Sequence, residues 1–251
     1  MSTAEKRGAM AVPGPQRLFC VVRAAGKPGP AREARHRRAD ADGFRRRDRR
    51  QLRGKPVIVV QTLTDSAVAI AASYAAKAFG IKTGTLMREA RQLCPAVIPV
   101  QANHRLYTEY HERILKAVDT CLPVEKVCSI DEMACKLMGT ERQVPLAREL
   151  ALKVKRALRE QVGECLTCSV GIAPNVFLSK VGSDLQKPNG LVVITKDDLP
   201  GILLGLELQD IYGIGPRMEQ RLQRAGIVIV AQLWNATPFQ LRRVWGGINA
   251  R

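Results

Sequence analysis

Two adjacent acids, Asp131 and Glu132, stand between two apolar stretches, residues 124–130 and 133–138. On a regular strand, neighbouring side chains point to opposite faces and cannot share a ligand. At the tip of a hairpin they can converge. Hard carboxylate oxygens open to water suit Mg²⁺ and phosphate chemistry. The spacing alone also allows two solvated acids on a turn. A Ser-x-Asp-Glu tetrapeptide arises by chance in roughly one chain in twenty of this size, so the pair alone does not decide a function.

Other residues have types that suit the same chemistry. Tyr74 and Lys77 are three apart on a helical stretch and share a face. Lys180 lies a turn and a half after Asn175, ahead of Lys187-Pro188-Asn189-Gly190. Taken singly, an amphipathic core tyrosine and a solvated lysine are the ordinary readings. Gly213-Ile214-Gly215-Pro216 sits between two helical segments. Its glycines let a turn approach a phosphate closely, and free amides at the next helix start can bind it. Pro216 fits a first helical position. Arg217, Arg221 and Arg224 then recur at helical spacing, with Met218, Leu222 and Ala225 as the stripe expected to be buried. This is a helix-hairpin-helix pattern. It predicts sequence-independent contact with a nucleic-acid backbone and salt-dependent affinity; an ordinary helical hairpin with a basic face is its alternative.

Several residues are set aside. Cys165 and Cys168 form a lone CxxC without a second pair, and read as plain buried cysteines. His104 and His111 read as surface residues of a helix, and Trp234 and Trp245 as core.

The chain that must position these groups has 251 residues and a net charge of +17. A pI near 10.1 points to a polyanionic partner. The charge is uneven: residues 1–56 carry +11 and the remainder +6. A hydrophobic content of 46% excludes a wholly disordered chain. No apolar run approaches the roughly 18 residues of a membrane span, and the start lacks a signal-peptide pattern. Seven cysteines without such a signal predict reduced thiols and a cytoplasmic location.

Residues 1–17 read as unstructured and 18–22 as a short buried strand. Residues 23–50 are Arg-rich and aperiodic. Val57-Ile58-Val59-Val60 is a β-branched strand. Residues 65–79 read as an Ala-rich helix ended by Gly80, and 86–93 as a second helix stopped before Pro95. Residues 97–100 form a strand with an edge-type proline. Helices are expected over 104–120 and 144–162, a strand over 165–172, a helix over 175–186 and a strand over 191–195. From Leu199 onward only helices and tight turns follow. The alternation predicts an α+β unit with a small mixed sheet, then a separate helical domain.

The order of motifs then carries a resemblance. Ser73-Tyr74-Ala75-Ala76-Lys77, Gly80-Ile81-Lys82-Thr83-Gly84 and Cys94-Pro95 come first. Ser129-Ile130-Asp131-Glu132, Ser169-Val170-Gly171-Ile172-Ala173-Pro174-Asn175, Lys180, Lys187-Pro188-Asn189-Gly190 and Tyr212-Gly213-Ile214-Gly215 follow. Together, over about residues 52–251, they resemble the Y-family, or translesion, DNA polymerases. The resemblance implies an α+β fold: a ferredoxin-like palm over 103–195, small fingers with an adjoining strand over 52–102, and an all-helical thumb over 196–251. It implies DNA-templated nucleotidyl transfer past lesions, with two Mg²⁺ ions. Asp131 and Glu132 would be catalytic and metal-binding. Tyr74, Lys77 and Lys180 would bind the incoming triphosphate. Gly213, Gly215, Arg217 and Arg221 would hold the DNA backbone. The implied partners are primer-template DNA, dNTPs and a sliding clamp or other repair proteins, with a monomeric chain and no membrane.

The sequence departs from that family in three places. Lys77 stands where the family usually has Arg, supplying charge without a bidentate fork. Residues 18–22 lack the metal-binding Asp of the family's first strand. Asp40-Ala41-Asp42-Gly43-Phe44 has the expected look, but Arg35 to Arg38 precede it and Arg45-Arg46-Arg47 follow. A shifted reading frame in a GC-rich gene would produce such a stretch, so residues 1–51 are expected to be an aberrant, poorly ordered basic segment. Ending at Arg251, the chain is expected to be truncated within the thumb, without the family's C-terminal little-finger domain. The alternative function is a non-catalytic DNA-binding remnant that uses the helix-hairpin-helix.

Overall fold

A computed structural model describes residues 52–246 and the backbone of residues 17–24. Asp40, Asp42, Phe44 and the Arg runs around them lie outside the described residues. Within the segment expected to be poorly ordered, Arg17–Ala24 forms a strand, β1. It is the middle of a five-stranded sheet and pairs antiparallel on both sides.

Its neighbours are β6 (Glu132–Lys136) and β7 (Leu166–Ala173). β5 (Val124–Val127) lies at one edge and β8 (Leu191–Val193) at the other, giving the order β5-β6-β1-β7-β8. Only β7 and β8 run parallel, so the sheet is mixed, as the alternation predicts.

The sheet's two faces are read from β7. Cys168, Val170 and Ile172 join Met133 and Cys135 in one core. That core is closed by α3 (His104–Asp119) and α4 (Val144–Ala157), through Ile114, Val118, Ala151 and Val154. The helix expected over 144–162 gives way at Leu158 to a five-residue π-helical turn. The alternate residues Ser169, Gly171 and Ala173 face the other side, where α5 (Val176–Leu185) lies. Asn175 caps α5, its side chain accepting from the Leu178 amide at 2.8 Å.

Cys135 shows what this core does to a thiol. It is fully buried, and burial first, then Asp119 and Glu125, push its pKa from 9.0 up to about 12. The unfolded thiol ionises more readily than the folded one, so stability falls as pH rises from 9.0 towards about 12. At about pH 10 the loss is about 1.4 kcal/mol. Urea midpoints at neutral and alkaline pH check this: Cys135→Ala should lose that share of the alkaline decline.

A second sheet has the order β3-β2-β4, from β2 (Val57–Val60), β3 (Ala69–Ala72) and β4 (Ile98–Gln101). β3 corrects the Ala-rich helix expected over 65–79. Alanine favours helix, but here its small side chain fits a strand packed on Ile58, Ile81 and Met87. β2 covers one edge of β3, and the 84–87 loop covers the other through Ala69 N–H to Thr85 O and Gly84 N–H to Ala69 O, each 2.9 Å. Ser73 then starts a single turn, α1 (Tyr74–Lys77); its hydroxyl accepts from Ala76 N and Val57 N and donates to Lys55 O. α2 (Met87–Leu93) follows, ending at Cys94-Pro95 as expected.

After β8 the described chain holds only short helices: α6 (Gly201–Leu204), α7 (Pro216–Arg224), α8 (Val230–Trp234) and α9 (Pro238–Trp245), besides a 3₁₀ turn. They share a core of Leu203, Leu208, Ile214, Leu222, Ile227 and Val244. Two expectations fail there. Trp234, the last residue of α8, is exposed while Val230 at its start is buried; Ala225 ends α7 on the open side, leaving Leu222 as that helix's buried residue. No helix among the described residues is long and apolar enough to cross a membrane.

Candidate active site

The turn from β5 to β6 is built by its own backbone. Cys128 N–H and Ser129 N–H both donate to Glu132 O, at 2.8 and 3.0 Å. Ser129 Oγ donates to Asp131 Oδ1 at 2.8 Å and accepts from the Asp131 amide at 3.4 Å. β5 ends at Val127, short of the strand expected to reach residue 130, so residues 128–131 form the turn. Asp131 therefore sits in the turn and Glu132 opens β6. The two acids escape the strict alternation of a strand, as the hairpin reading requires.

Glu132 is on the α5 side of the sheet, since Met133 belongs to the opposite core. There it meets Lys180. The Lys180 ammonium and the Glu132 carboxylate form a direct ion pair, with side-chain exposures of 8% and 13%. Lys180 also reaches Asp184 one helical turn on, at 3.3 Å, and Asp184 pairs with Lys187. A line of alternating charge thus runs Glu132, Lys180, Asp184, Lys187. Tyr212 caps it, with Lys180 Nζ 6.0 Å from its ring centroid.

Breaking a buried pair by removing one partner strands a charge, typically costing about 3–5 kcal/mol. Lys180→Met is therefore expected to destabilise the chain by about 3 kcal/mol. Glu132→Gln should cost less, because Lys180 keeps Asp184. The double variant should recover most of the loss. Urea unfolding of the four proteins reads this cycle; a Lys180→Met midpoint equal to the parent's would contradict it.

The Lys187-Pro188-Asn189-Gly190 turn is pinned from α4. Lys155 Nζ donates to Cys168 O and Asn189 O, each at 2.7 Å, and to Asn189 Oδ1 at 2.9 Å. Asn189 adopts the left-handed conformation, φ 58°, which asparagine tolerates. This fixes where Lys187 leaves the turn.

Tyr74 and Lys77 form a second cluster on α1. Lys77 Nζ stands 4.9 Å from the Tyr74 ring centroid, so the shared face read from the spacing is present. A third cluster follows Tyr212. Gly213 has φ +95°, and Gly215 precedes Pro216 at the first position of α7. Arg217 and Arg221 are exposed and line one shallow depression with Gly215, Pro216 and Met218. The structure joins Glu132 to Lys180 and, through Tyr212, to the start of this third cluster.

Sequence reading missed three parts of this arrangement. Asp184 and Lys187 were legible in principle, as Lys180-x3-Asp184-x2-Lys187 is a helical charge pattern. Lys155 had no such signal, because its acceptors are backbone carbonyls of another element. His111, set aside as a surface residue, is half-buried with Nδ1 2.8 Å from Ile130 O.

Asp131 and Glu132 offer hard oxygen donors. Mg²⁺ is commonly held by one or two carboxylates with waters and substrate phosphates, so the pair fits one such ion once Lys180 yields Glu132. Among the described residues no group of three or more His, Cys, Asp or Glu could hold a metal. In the sheet register, Glu132 lies opposite Val21, and Val21 opposite Ser169; this row adds no third carboxylate. Of the two cysteines expected to be buried, Cys168 is buried and Cys165, just before β7, is only partly so.

Known proteins are similar to this chain in sequence and in overall fold. DNA polymerase IV of Moorella thermoacetica is 40% identical over 184 residues, covering 72% of this chain and 46% of the relative. DNA polymerase IV of Alkalilimnicola ehrlichii is 32% identical over 211 residues, 82% of this chain and 59% of the relative. The chain spans about half the length of these curated relatives. Among solved structures, DinB from Sulfolobus solfataricus superposes with a TM-score of 0.74 at 27% identity, covering 94% of this chain and 64% of that one. An insertion ternary complex of Dbh DNA polymerase gives a TM-score of 0.72 at 26% identity with the same coverage. The model of the impB/mucB/samB family matches residues 40–184, more than half of the sequence, and with it the chain belongs to that family, the Y-family DNA polymerases.

Proposed function

We propose that this chain carries the nucleotidyl-transfer centre of a translesion DNA polymerase, with the second sheet as fingers, the five-stranded sheet as palm and the helices after β8 as a thumb. The supporting observation is the buried Glu132–Lys180 pair beside Asp131. A carboxylate and a lysine held together in the resting state can separate onto a cation and a triphosphate.

Asp131 and Glu132 would hold Mg²⁺, which supplies Lewis acidity toward the α-phosphate and lowers the pKa of the primer hydroxyl. Lys180, released from Glu132, places its positive charge against the triphosphate. Asp184 keeps that ammonium within reach of the site during the exchange. Tyr74 and Lys77 on α1 present an aromatic edge and a cation to the same nucleotide. Gly213 and Gly215 open the backbone for a DNA phosphate, and Arg217 and Arg221 add charge along it. The chemistry is an in-line displacement with pyrophosphate leaving. Primer-template DNA and dNTPs are the substrates in this reading, two Mg²⁺ ions would be the cofactors, and a sliding clamp and a cytoplasmic setting complete it.

One observation favours a second reading, DNA binding without catalysis: the row through Glu132, Val21 and Ser169 holds a single carboxylate. Extension of a primed template with Mg²⁺ and the complementary dNTP separates the two. The polymerase reading predicts template-directed addition; salt-sensitive DNA binding with no addition selects the alternative.

A further inference from the structure

The turn that carries Asp131 has little packing to hold it. Cys128, Ser129 and Ile130 are all exposed. β5, which leads into it, is an edge strand with three of its four residues exposed, and its pairing with β6 is irregular between Val124 and Lys126. The turn's own hydrogen bonds close on Ser129 and Glu132 and fix its local shape. Two of them end on the carbonyl of Glu132, the first residue of β6, so they join the turn to the sheet at that residue alone and leave its outer part, 129–131, to be placed by other contacts.

His111 supplies a tether from another element. Its Nδ1 lies 2.8 Å from Ile130 O, across 19 residues of sequence. A carbonyl only accepts, so Nδ1 carries the proton and donates. The helix behind it is firmly held. Ile114, Ala117 and Val118 of α3 are buried against Met133 of β6. Arg113, two residues from His111, donates to Val162 O at 2.7 Å and to Gln161 O at 3.3 Å, and stacks 5.0 Å from the Tyr110 ring. His111 thus joins a rigid helix to the carbonyl immediately before Asp131.

We propose that His111 is a positioning residue: its imidazole N–H fixes the 128–131 turn so that Asp131 and Glu132 converge on one cation. The convergence part rests on reading those acids as the metal-binding pair; the tether itself does not.

Two replacements isolate the hydrogen bond. His111→Phe fills the space and removes the donor. His111→Asn keeps a donor, since its amide nitrogen takes the place of Nδ1, at a similar helix propensity. Hydrogen exchange at the amides of Ser129, Asp131 and Glu132 reads the tether without any metal. The expected result is exchange faster by about fivefold in His111→Phe, the scale of one neutral hydrogen bond, and within about twofold of the parent in His111→Asn. Mn²⁺ titration followed by electron paramagnetic resonance should show the same order of affinities. Equal exchange in His111→Phe and the parent overturns the proposal. So does an equal loss in both variants, which would assign His111 to helix packing. If the parent and Asp131→Ala bind Mn²⁺ alike, the metal reading of the acids falls, while the exchange data still decide the tether.

Discussion

Gly171→Ala is expected to lower the melting temperature by at least about 6–12 °C, or to leave the chain insoluble. A Cβ built at Gly171 would lie 1.9 Å from Ser179 O, 2.6 Å from Ser183 N and 2.9 Å from Ser179 C. All three are backbone atoms of α5, so no side chain can swing away. The helix must retreat from β7 as a body. Overpacking of this kind costs roughly 1–3 kcal/mol in ordinary cores and more against backbone, a large share of a margin of about 5–15 kcal/mol. The retreat would also draw Lys180 away from Glu132 and strand a nearly buried carboxylate. Circular dichroism melts of the two proteins check the prediction; a melting temperature within about 2 °C of the parent would contradict it.

The second large effect is on chemistry. Asp131→Ala removes one of the two hard donors at the turn and leaves Glu132 paired with Lys180. The variant should keep its fold: it loses the exposed Ser129 Oγ–Asp131 Oδ1 bond, while the backbone bonds that close the turn on Glu132 O remain. Its insertion rate should fall by at least about 10³, equivalent to about 4 kcal/mol of transition-state stabilisation. A variant that loses activity and stability together would instead place Asp131 in the fold.

Much of this site was legible in the sequence, and what was not has a common physical cause. α3 and α4 declare themselves by period, since each has one buried face; β7 and α5 are buried on more than one side and show instead as an apolar run and a capped segment before the Lys187-Pro188 turn. The Asp131-Glu132 turn was legible as a break between two apolar stretches, though β5 stops sooner than hydrophobicity suggests because edge strands tolerate apolar residues in the open. Residues 69–72 were misread because alanine carries a local preference and no period; the partner strand and the 84–87 loop decided the outcome. Trp234 departs from the expectation that large aromatics are core: it is the last residue of α8 and lies half exposed, while Val230 at the helix start is buried. The Lys180–Glu132 pair spans 48 residues and the His111–Ile130 bond 19, so neither leaves a local trace. The family resemblance supplied Lys180 without its partner, and could not supply His111 at all.

Asp131 and Glu132 are proposed to form a metal-dependent nucleotidyl-transfer centre. Single-turnover insertion tests it most directly, with protein in excess over a primed template, Mg²⁺ present or chelated, and the parent compared with Asp131→Ala. The expected result is addition of the complementary nucleotide by the parent, dependent on Mg²⁺, and a rate at least about 10³ lower in the variant. No addition by a folded parent at any protein excess, or equal rates in both proteins, would contradict it.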